Sequence, residues 1–414
     1  MTLEKKRVVV TGGGIVSSLG YEWPEIFGNL KAGKNFIRRI DDWARYKGMN
    51  TQLGAPVDFT IPSFPRKKIR GMGRVALLAL AATDKALALA GLGESPELKG
   101  GRCGVAYGSS ISGVEPIMEI YDMIVSNDVS KINATTYLRA MPQTCAANLE
   151  VFYGLTGRLI PTNTACTSGS LAIGLAYEAI KYGFQDIMIA GGAEELSAVD
   201  AACFDVLFAT STKNDHPELT PAAYDKNRDG LVVGEGSGTL ILEEYEHALN
   251  RGAKIYAELA GFGTNTDGSH ITQPSRATQG ISIRLALEDA GLDPGEIGYI
   301  NSHGTATASG DISESWATHD VFKRAVPVST LKNYIGHTLA ACGVIEAWVS
   351  IHMMNSLWFC PNINLKEVDP EVAPLDYITG EGRIIDTDYI MSNNFAFGGI
   401  NTSLIFKRFN RIVS

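Results

Sequence analysis

The chain lacks the marks of several protein classes. Its six cysteines, Cys103, Cys145, Cys166, Cys203, Cys342 and Cys360, include no CxxC pair. Their spacings fit no zinc site, so neither a metal nor a disulfide framework is expected, only free thiols in a reducing compartment. No uninterrupted apolar stretch approaches the roughly 20 residues of a membrane span. The opening MTLEKKRVVVTGGG carries only a short apolar run before glycine, which reads as a strand and a turn rather than a signal peptide. A cytoplasmic protein is therefore expected. Positive charge is in deficit: 36 Lys and Arg face 45 Asp and Glu, a net charge of −9. That balance argues against a broad nucleic-acid-binding surface but leaves room for a local basic patch. There is no low-complexity linker and no strong repeat.

Glycine, by contrast, is abundant, at 44 of 414 residues, and clusters in TGGG, AGG, GEGSG and FGG at the ends of apolar runs. Tight turns and close backbone approaches use glycine this way. Strand-like and helix-like segments alternate. RVVV (7–10), CGVAYG (103–108), DIMIAGG (186–192), GTLILEEY (238–245) and IGYINSHG (297–304) read as strands. Residues 74–92 and 275–292 read as helices, 337–358 contains a long apolar one, and 388–408 reads as strand, glycine turn, strand. The alternation implies an α/β architecture, and helices apolar nearly all round imply helices buried between sheets. A faint echo links IPTNTACTSGSLAIGL with VPVSTLKNYIGHTLAACG: each runs from a short strand through a polar loop into an apolar helix. Two similar halves packed together account for it.

The segment VVVTGGGIVSSLG invites a dinucleotide-binding reading, but Ser17 stands where the fingerprint needs its third glycine, so that reading is not favoured. Cys166, in NTACTSGS, lies where a turn becomes a helix. The helix dipole and unpaired N–H groups there favour thiolate. Small neighbours, Ala165, Thr167, Ser168 and Gly169, leave room for a substrate. Spacing alone leaves both a nucleophile and a core thiol open, and Cys342 in LAACGV serves as the bland contrast. A nucleophilic cysteine needs a histidine. Of seven, His216, His247 and His319 lie in charged contexts, His270 in a loop and His352 within a helix. His303 and His337, in turns at the ends of a strand and before a helix, remain. Glu346 falls inside an apolar helix and needs a cation, for which Lys332 is the natural partner. Phe397 precedes two glycines whose turn could present N–H groups to an oxyanion or simply close a hairpin.

Together NTACTSGS, NSHGTATASGD, KNYIGHTLAACG and NNFAFGGIN resemble the active-site motifs of the β-ketoacyl-acyl-carrier-protein synthases, and GGAEE (191–195) and YDKNRDGLVVGEGSG (224–238) resemble further signatures of that family. The resemblance runs from about residue 7 to 408. It implies a thiolase-like fold in five layers, α-β-α-β-α. Residues 1–250 would form a half carrying the nucleophile Cys166, and 251–414 a half carrying His303 and His337. It implies a dimer, either of like chains or with a chain-length-factor homologue, and no cofactor beyond the phosphopantetheine that arrives on acyl carrier protein.

The implied roles are specific. His303 and His337 donate hydrogen bonds to a thioester oxygen, and the N–H groups of Cys166 and Phe397 hold the oxyanion of acyl transfer. Lys332, Glu346 and Asp311 form a supporting network. Thr305, Thr307 and Thr272 match substrate-binding positions, and Ile111 matches a position that limits acyl chain length. Lys67, Arg70 and Lys213 match a basic docking surface for the acidic carrier. The resemblance departs at Ala396, where glycine is usual, and at Ile400, where threonine is usual. Such departures suit a specialised pathway, such as an aryl polyene or another type II polyketide. A non-elongating chain-length partner is the alternative reading, and the presence of Cys166 and both histidines argues against it, as it does against a thiolase or coenzyme-A-primed enzyme.

Overall fold

The computed structural model describes residues 5–409. Strand β1 (Val8–Ser17) is much longer than the RVVV run suggests, because the glycines after it continue the strand instead of ending it. Helix α1 (Arg74–Ala90) crosses directly over them. A β-carbon on Gly12 would lie 2.4 Å from the Ala86 carbonyl oxygen, and one on Gly14 2.3 Å from that of Ala82. These glycines are contact points for a helix, and no phosphate fits on that face.

The N-terminal half continues with β2 (Cys103–Gly108), β3 (Leu159–Pro161), α2 (Ser168–Lys181), β4 (Ile187–Glu194) and β5 (Gly236–Glu244). The C-terminal half comprises β6 (Ala257–Thr266), α3 (Arg276–Ala290), β7 (Ile297–Asn301), α4 (Ala308–Phe322) and β8 (Pro327–Ser329). It closes with α5 (Cys342–Asn355), β9 (Asp376–Tyr377), β10 (Tyr389–Ala396) and β11 (Ile400–Arg408). Helices α1 and α3 both stop at a left-handed glycine, Gly91 and Gly291, as their sequences suggest. The segment 297–304 differs from expectation: its strand ends at Asn301, which leaves His303 in the following loop.

The strands follow the order β9-β8-β7-β10-β11-β6-β1-β5-β4-β2-β3. The halves meet where Val8–Val10 of β1 pairs antiparallel with Ala257–Leu259 of β6. Outward from that seam each half repeats one pattern. The first three strands are antiparallel (β1, β5, β4 and β6, β11, β10) and the next two parallel (β2, β3 and β7, β8). Helix α3 also approaches β6 as α1 approaches β1: a β-carbon on Gly261 would meet the Ala286 carbonyl oxygen at 2.4 Å. Helices α2 and α5 pack on each other and on strands of both halves. Twelve of the fourteen residues of α5 are buried, which explains a helix apolar on every side.

Each of these two central helices is entered through a short 3-10 turn, Ala165–Thr167 before α2 and Leu339–Ala341 before α5. Both turns open on a left-handed residue, Ala165 at φ 50° and Leu339 at φ 45°. The sequence echo is therefore a structural repeat, in which Cys166 corresponds to Ala340 rather than to Cys342.

Candidate active site

Cys166 lies at the sharpest point of the first turn. A left-handed residue with a β-carbon costs about 1–2 kcal/mol, so Ala165 stores strain beside the reactive atom. The small neighbours have a different use from the one expected. Thr167, Ser168 and Gly169 are buried, and a β-carbon on Gly169 would stand 2.7 Å from the Ala340 carbonyl oxygen. They allow the two 3-10 turns to touch.

That contact brings distant segments together. The sulfur of Cys166 and ring nitrogens of His303 and His337 lie within 4.8 Å of one another, all three residues buried. The imidazoles meet edge to face with centroids 5.1 Å apart. Nδ1 of His337 accepts the Leu339 N–H at 3.2 Å, which puts the ring proton on Nε2. That Nε2 is buried and has no partner among the described residues. It is an unused donor pointing into the site. Burial, then Lys332 and His337, hold His303 well below the usual histidine range; burial, then Lys332, do the same for His337. Both rings are neutral at physiological pH.

Beneath them Lys332 Nζ bonds Glu346 Oε1, with both side chains fully buried. The second carboxylate oxygen accepts from Asn394 Nδ2 at 2.7 Å, and the same amide reaches His303 Nδ1 at 3.4 Å. We expect Glu346→Ala to lower the unfolding free energy by about 3–5 kcal/mol, because it strands a buried ammonium. Urea unfolding of the variant measures this, and an unchanged midpoint would contradict it.

The backbone N–H groups of Phe397 and Cys166 act on the same sulfur and favour its thiolate. The Phe397 ring rests against Phe204, centroids 5.2 Å apart. Burial pushes the thiol up to about 11, although Lys332 and those two N–H groups oppose the rise. Burial thus works against the thiolate that the helix start favours. Iodoacetamide alkylation of Cys166 is expected to accelerate steadily from pH 7 to 10; a plateau reached by pH 8 would show a lower thiol pKa.

The family model described as "Beta-ketoacyl synthase, N-terminal domain" matches residues 5–248, and "Beta-ketoacyl synthase, C-terminal domain" matches 256–366. The chain belongs to the β-ketoacyl synthase family. It is 37% identical to the 3-oxoacyl-[acyl-carrier-protein] synthase 2 of Vibrio cholerae, over 98% of this chain and 100% of that protein. The crystal structure of a β-ketoacyl synthase from Burkholderia phymatum superposes with a TM-score of 0.97 at 54% identity, over 98% of this chain and 100% of that one. A ketosynthase in complex with its chain length factor, from Xenorhabdus doucetiae, gives a TM-score of 0.82 at 27% identity, over 98% of both chains. This ketosynthase therefore has the thiolase-like α/β fold and is an acyltransferase.

A cavity of about 270 Å³ opens onto the ketosynthase centre, lined by Cys166, His303, His337 and Phe397 together with Thr272, Thr305 and Thr307. The Thr305 and Thr307 hydroxyls bond each other at 2.9 Å. Ala396 lines the same cavity. Its backbone is not left-handed; the turn takes that conformation at Gly398 and Gly399 instead (φ 90° and 71°), so Ala396 is unstrained here. Ile111 does not line the cavity. Its loop lies beside the nucleophile segment, with the N–H groups of Ser110 and Ile111 on Glu194 at 2.8 and 3.3 Å and the Ser109 carbonyl accepting from Asn163 Nδ2 at 2.7 Å.

Asp311 acts on the backbone, accepting the N–H groups of Tyr224 at 2.8 Å and Ala306 at 3.1 Å, with Arg228 3.5 Å away. Glu314, overlooked in the sequence, accepts those of His303 at 2.7 Å and Gly304 at 2.8 Å; burial raises its carboxyl to about 7. Its helical spacing from Asp311 is the signal that could have found it. Lys67 is exposed on the short helix Arg66–Ile69, and Arg70 is exposed at the cap that follows it. Lys213 is not a free docking cation: its Nζ holds the Asn227 carbonyl at 3.0 Å and Asp229 at 3.2 Å. Among the described residues, no helix is long and apolar enough to cross a membrane.

Proposed function

We propose that this ketosynthase elongates an acyl chain by decarboxylative Claisen condensation with malonyl-acyl carrier protein. The observation that carries the reading is one buried sulfur within 4.8 Å of ring nitrogens of two neutral imidazoles, with the backbone N–H groups of Cys166 and Phe397 also acting on it. In the first stage Cys166 attacks the thioester of acyl carrier protein. The Cys166 and Phe397 N–H groups stabilise the oxyanion. The carrier's thiol departs with the proton that Cys166 gives up, leaving an acyl-cysteine.

In the second stage malonyl-carrier protein occupies the same cavity. The C–C bond to its carboxylate breaks, carbon dioxide leaves, and the electron pair becomes an enolate whose oxygen takes hydrogen bonds from His303 and His337. Only neutral imidazoles with a proton on Nε2 serve here, and burial keeps them neutral. The enolate carbon attacks the acyl-cysteine, Cys166 leaves as thiolate, and a 3-oxoacyl chain two carbons longer remains on the carrier. Thr305 and Thr307, with Thr272, are placed to hold the phosphopantetheine arm. No resident cofactor or metal enters either stage.

Acyl carrier protein is acidic, and Lys67 and Arg70 offer local positive charge for its approach despite the negative total. The helix Val114–Ser126 exposes Ile117, Met118, Tyr121, Ile124 and Val125, and β3 ends the sheet. That apolar area beside an open strand supports a second subunit, either another copy or a chain-length-factor homologue, in a cytoplasmic assembly. Retention of Cys166, His303 and His337 makes this chain the elongating member. Ala396 and Ile400 favour an aryl polyene or other type II polyketide chain over a fatty acid. Incubation with malonyl-carrier protein and a panel of saturated, unsaturated and aryl acyl-carrier proteins, read by product mass, tests both points. Products two carbons longer support condensation, and the best acyl donor names the pathway; no extended product with any donor would overturn the reading.

A further inference from the structure

We propose that Asn394 is a positioning residue that sets the tautomer of His303. Asn394 sits on β10, fully buried, between three groups of the site. Its Nδ2 lies 2.7 Å from Glu346 Oε2, 3.4 Å from His303 Nδ1 and 3.6 Å from Cys342 Sγ. The carboxylate fixes which end of the amide points this way, since Oδ1 against Glu346 would be repelled. The opposite end is consistent with this: Oδ1 has no partner and faces Gly343, where a β-carbon would lie 2.6 Å from it.

An amide nitrogen carries two protons. One goes to Glu346. The second has two acceptors in reach, His303 Nδ1 at 3.4 Å and Cys342 Sγ at 3.6 Å; the imidazole nitrogen is the stronger acceptor and takes it, since a thiol sulfur accepts only weakly. Nδ1 is then an acceptor, and the ring proton must sit on Nε2, the nitrogen left to face the cavity. His337 reaches the same tautomer by another route, through the backbone N–H of Leu339. One histidine is thus set by a main-chain donor that only proline would remove, the other by a side chain that can be changed. Cys342, the second thiol of the site, closes the arrangement by donating to the Cys166 carbonyl oxygen at 3.3 Å. Asn394 consequently links the Lys332–Glu346 pair to the imidazole that meets the enolate.

This rests on the condensing activity proposed above, so the test separates the two. In Asn394→Asp the shape is kept, but the new carboxyl shares a single proton with Glu346 and has none left to donate to His303, so its free lone pair draws the ring proton onto Nδ1. We expect malonyl-carrier decarboxylation to fall about 100-fold or more, as for loss of an oriented donor, while transfer of an acyl group to Cys166 stays within a few-fold. The ¹⁵N spectrum of histidine-labelled protein, assigned against His303→Ala, is expected to show His303 moving from the Nε2–H form toward Nδ1–H or imidazolium. Asn394→Ala, which removes the donor without adding a charge, is expected to lower decarboxylation and to let His303 populate the Nδ1–H form, and it serves if Asn394→Asp does not fold. An unchanged His303 spectrum in whichever variant folds, or equal losses in both half-reactions, would overturn the tautomer role. Absence of decarboxylation in the unsubstituted protein would instead overturn the condensing activity, leaving the spectrum to report on Asn394 alone.

Discussion

Cys166→Ala is expected to abolish transfer of acyl groups from acyl carrier protein, with condensation lost by about four orders of magnitude or more, as for removal of a covalent nucleophile. Mass spectrometry of the intact protein after incubation with acyl-carrier protein measures it directly: the unsubstituted chain gains one acyl mass, the variant none. The other five cysteines do not replace it. Cys103, Cys145, Cys342 and Cys360 are buried and, unlike Cys166, line no part of the cavity that admits the acyl thioester. Cys203 is exposed on the helix Ala198–Asp205, away from the N–H pair that stabilises the oxyanion. The same variant should retain malonyl decarboxylation, because both imidazoles and the Lys332–Glu346 pair are intact. A Cys166→Ala protein that still condenses at the normal rate would sink the mechanism.

His303→Ala should give the reverse pattern. Loss of one oriented donor costs about 100- to 1,000-fold where negative charge develops. Decarboxylation carries that cost, while acylation, which relies on backbone N–H groups, is largely retained. The two half-reactions are read separately, by release of carbon dioxide and by acyl mass on Cys166. The pH dependence supplies a second check. Histidines held well below their usual range stay neutral as pH falls from 8 to 6, so decarboxylation by the unsubstituted protein should be flat across that window. A fall centred near pH 6.5, the ordinary histidine value, would mean that at least one ring is ionising and that burial does not control it. Loss of acylation equal to loss of decarboxylation in His303→Ala would mean that the histidine supports the whole turn rather than one step.

Much of the centre was legible in the sequence because its chemistry is carried by residue types that stand out locally. A cysteine at a helix entry, two histidines in polar turns and a glutamate inside an apolar helix each pose a question that only a few partners answer. What stayed hidden depends on pairing across long separations. Asn394 is 48 residues from Glu346 and 91 from His303, and nothing in NNFAFGGIN distinguishes a linking amide from a strand residue. Lys213, a cation matching a docking position, has an ion-pair partner in Asp229, 16 residues on, through a fold the sequence does not display. Cys342, chosen as a bland contrast, proved to touch the nucleophile's own carbonyl. In the fold, the alternation of strands and helices predicted the architecture, but TGGG was read as a turn. Glycine signals close approach without saying whether a turn, a ligand or, as here, a helix is what approaches.

The repeated entry turns have a historical consequence. A chain descended from a doubled ancestor would carry two candidate nucleophile sites, and here only one holds a thiol. The other, around Ala340, has been released from chemistry; its N–H binds Glu194 of the opposite half at 3.3 Å, and its first residues bring His337 to the sulfur. One copy keeps the thiol, and its twin carries in its place the histidines that the thiol needs.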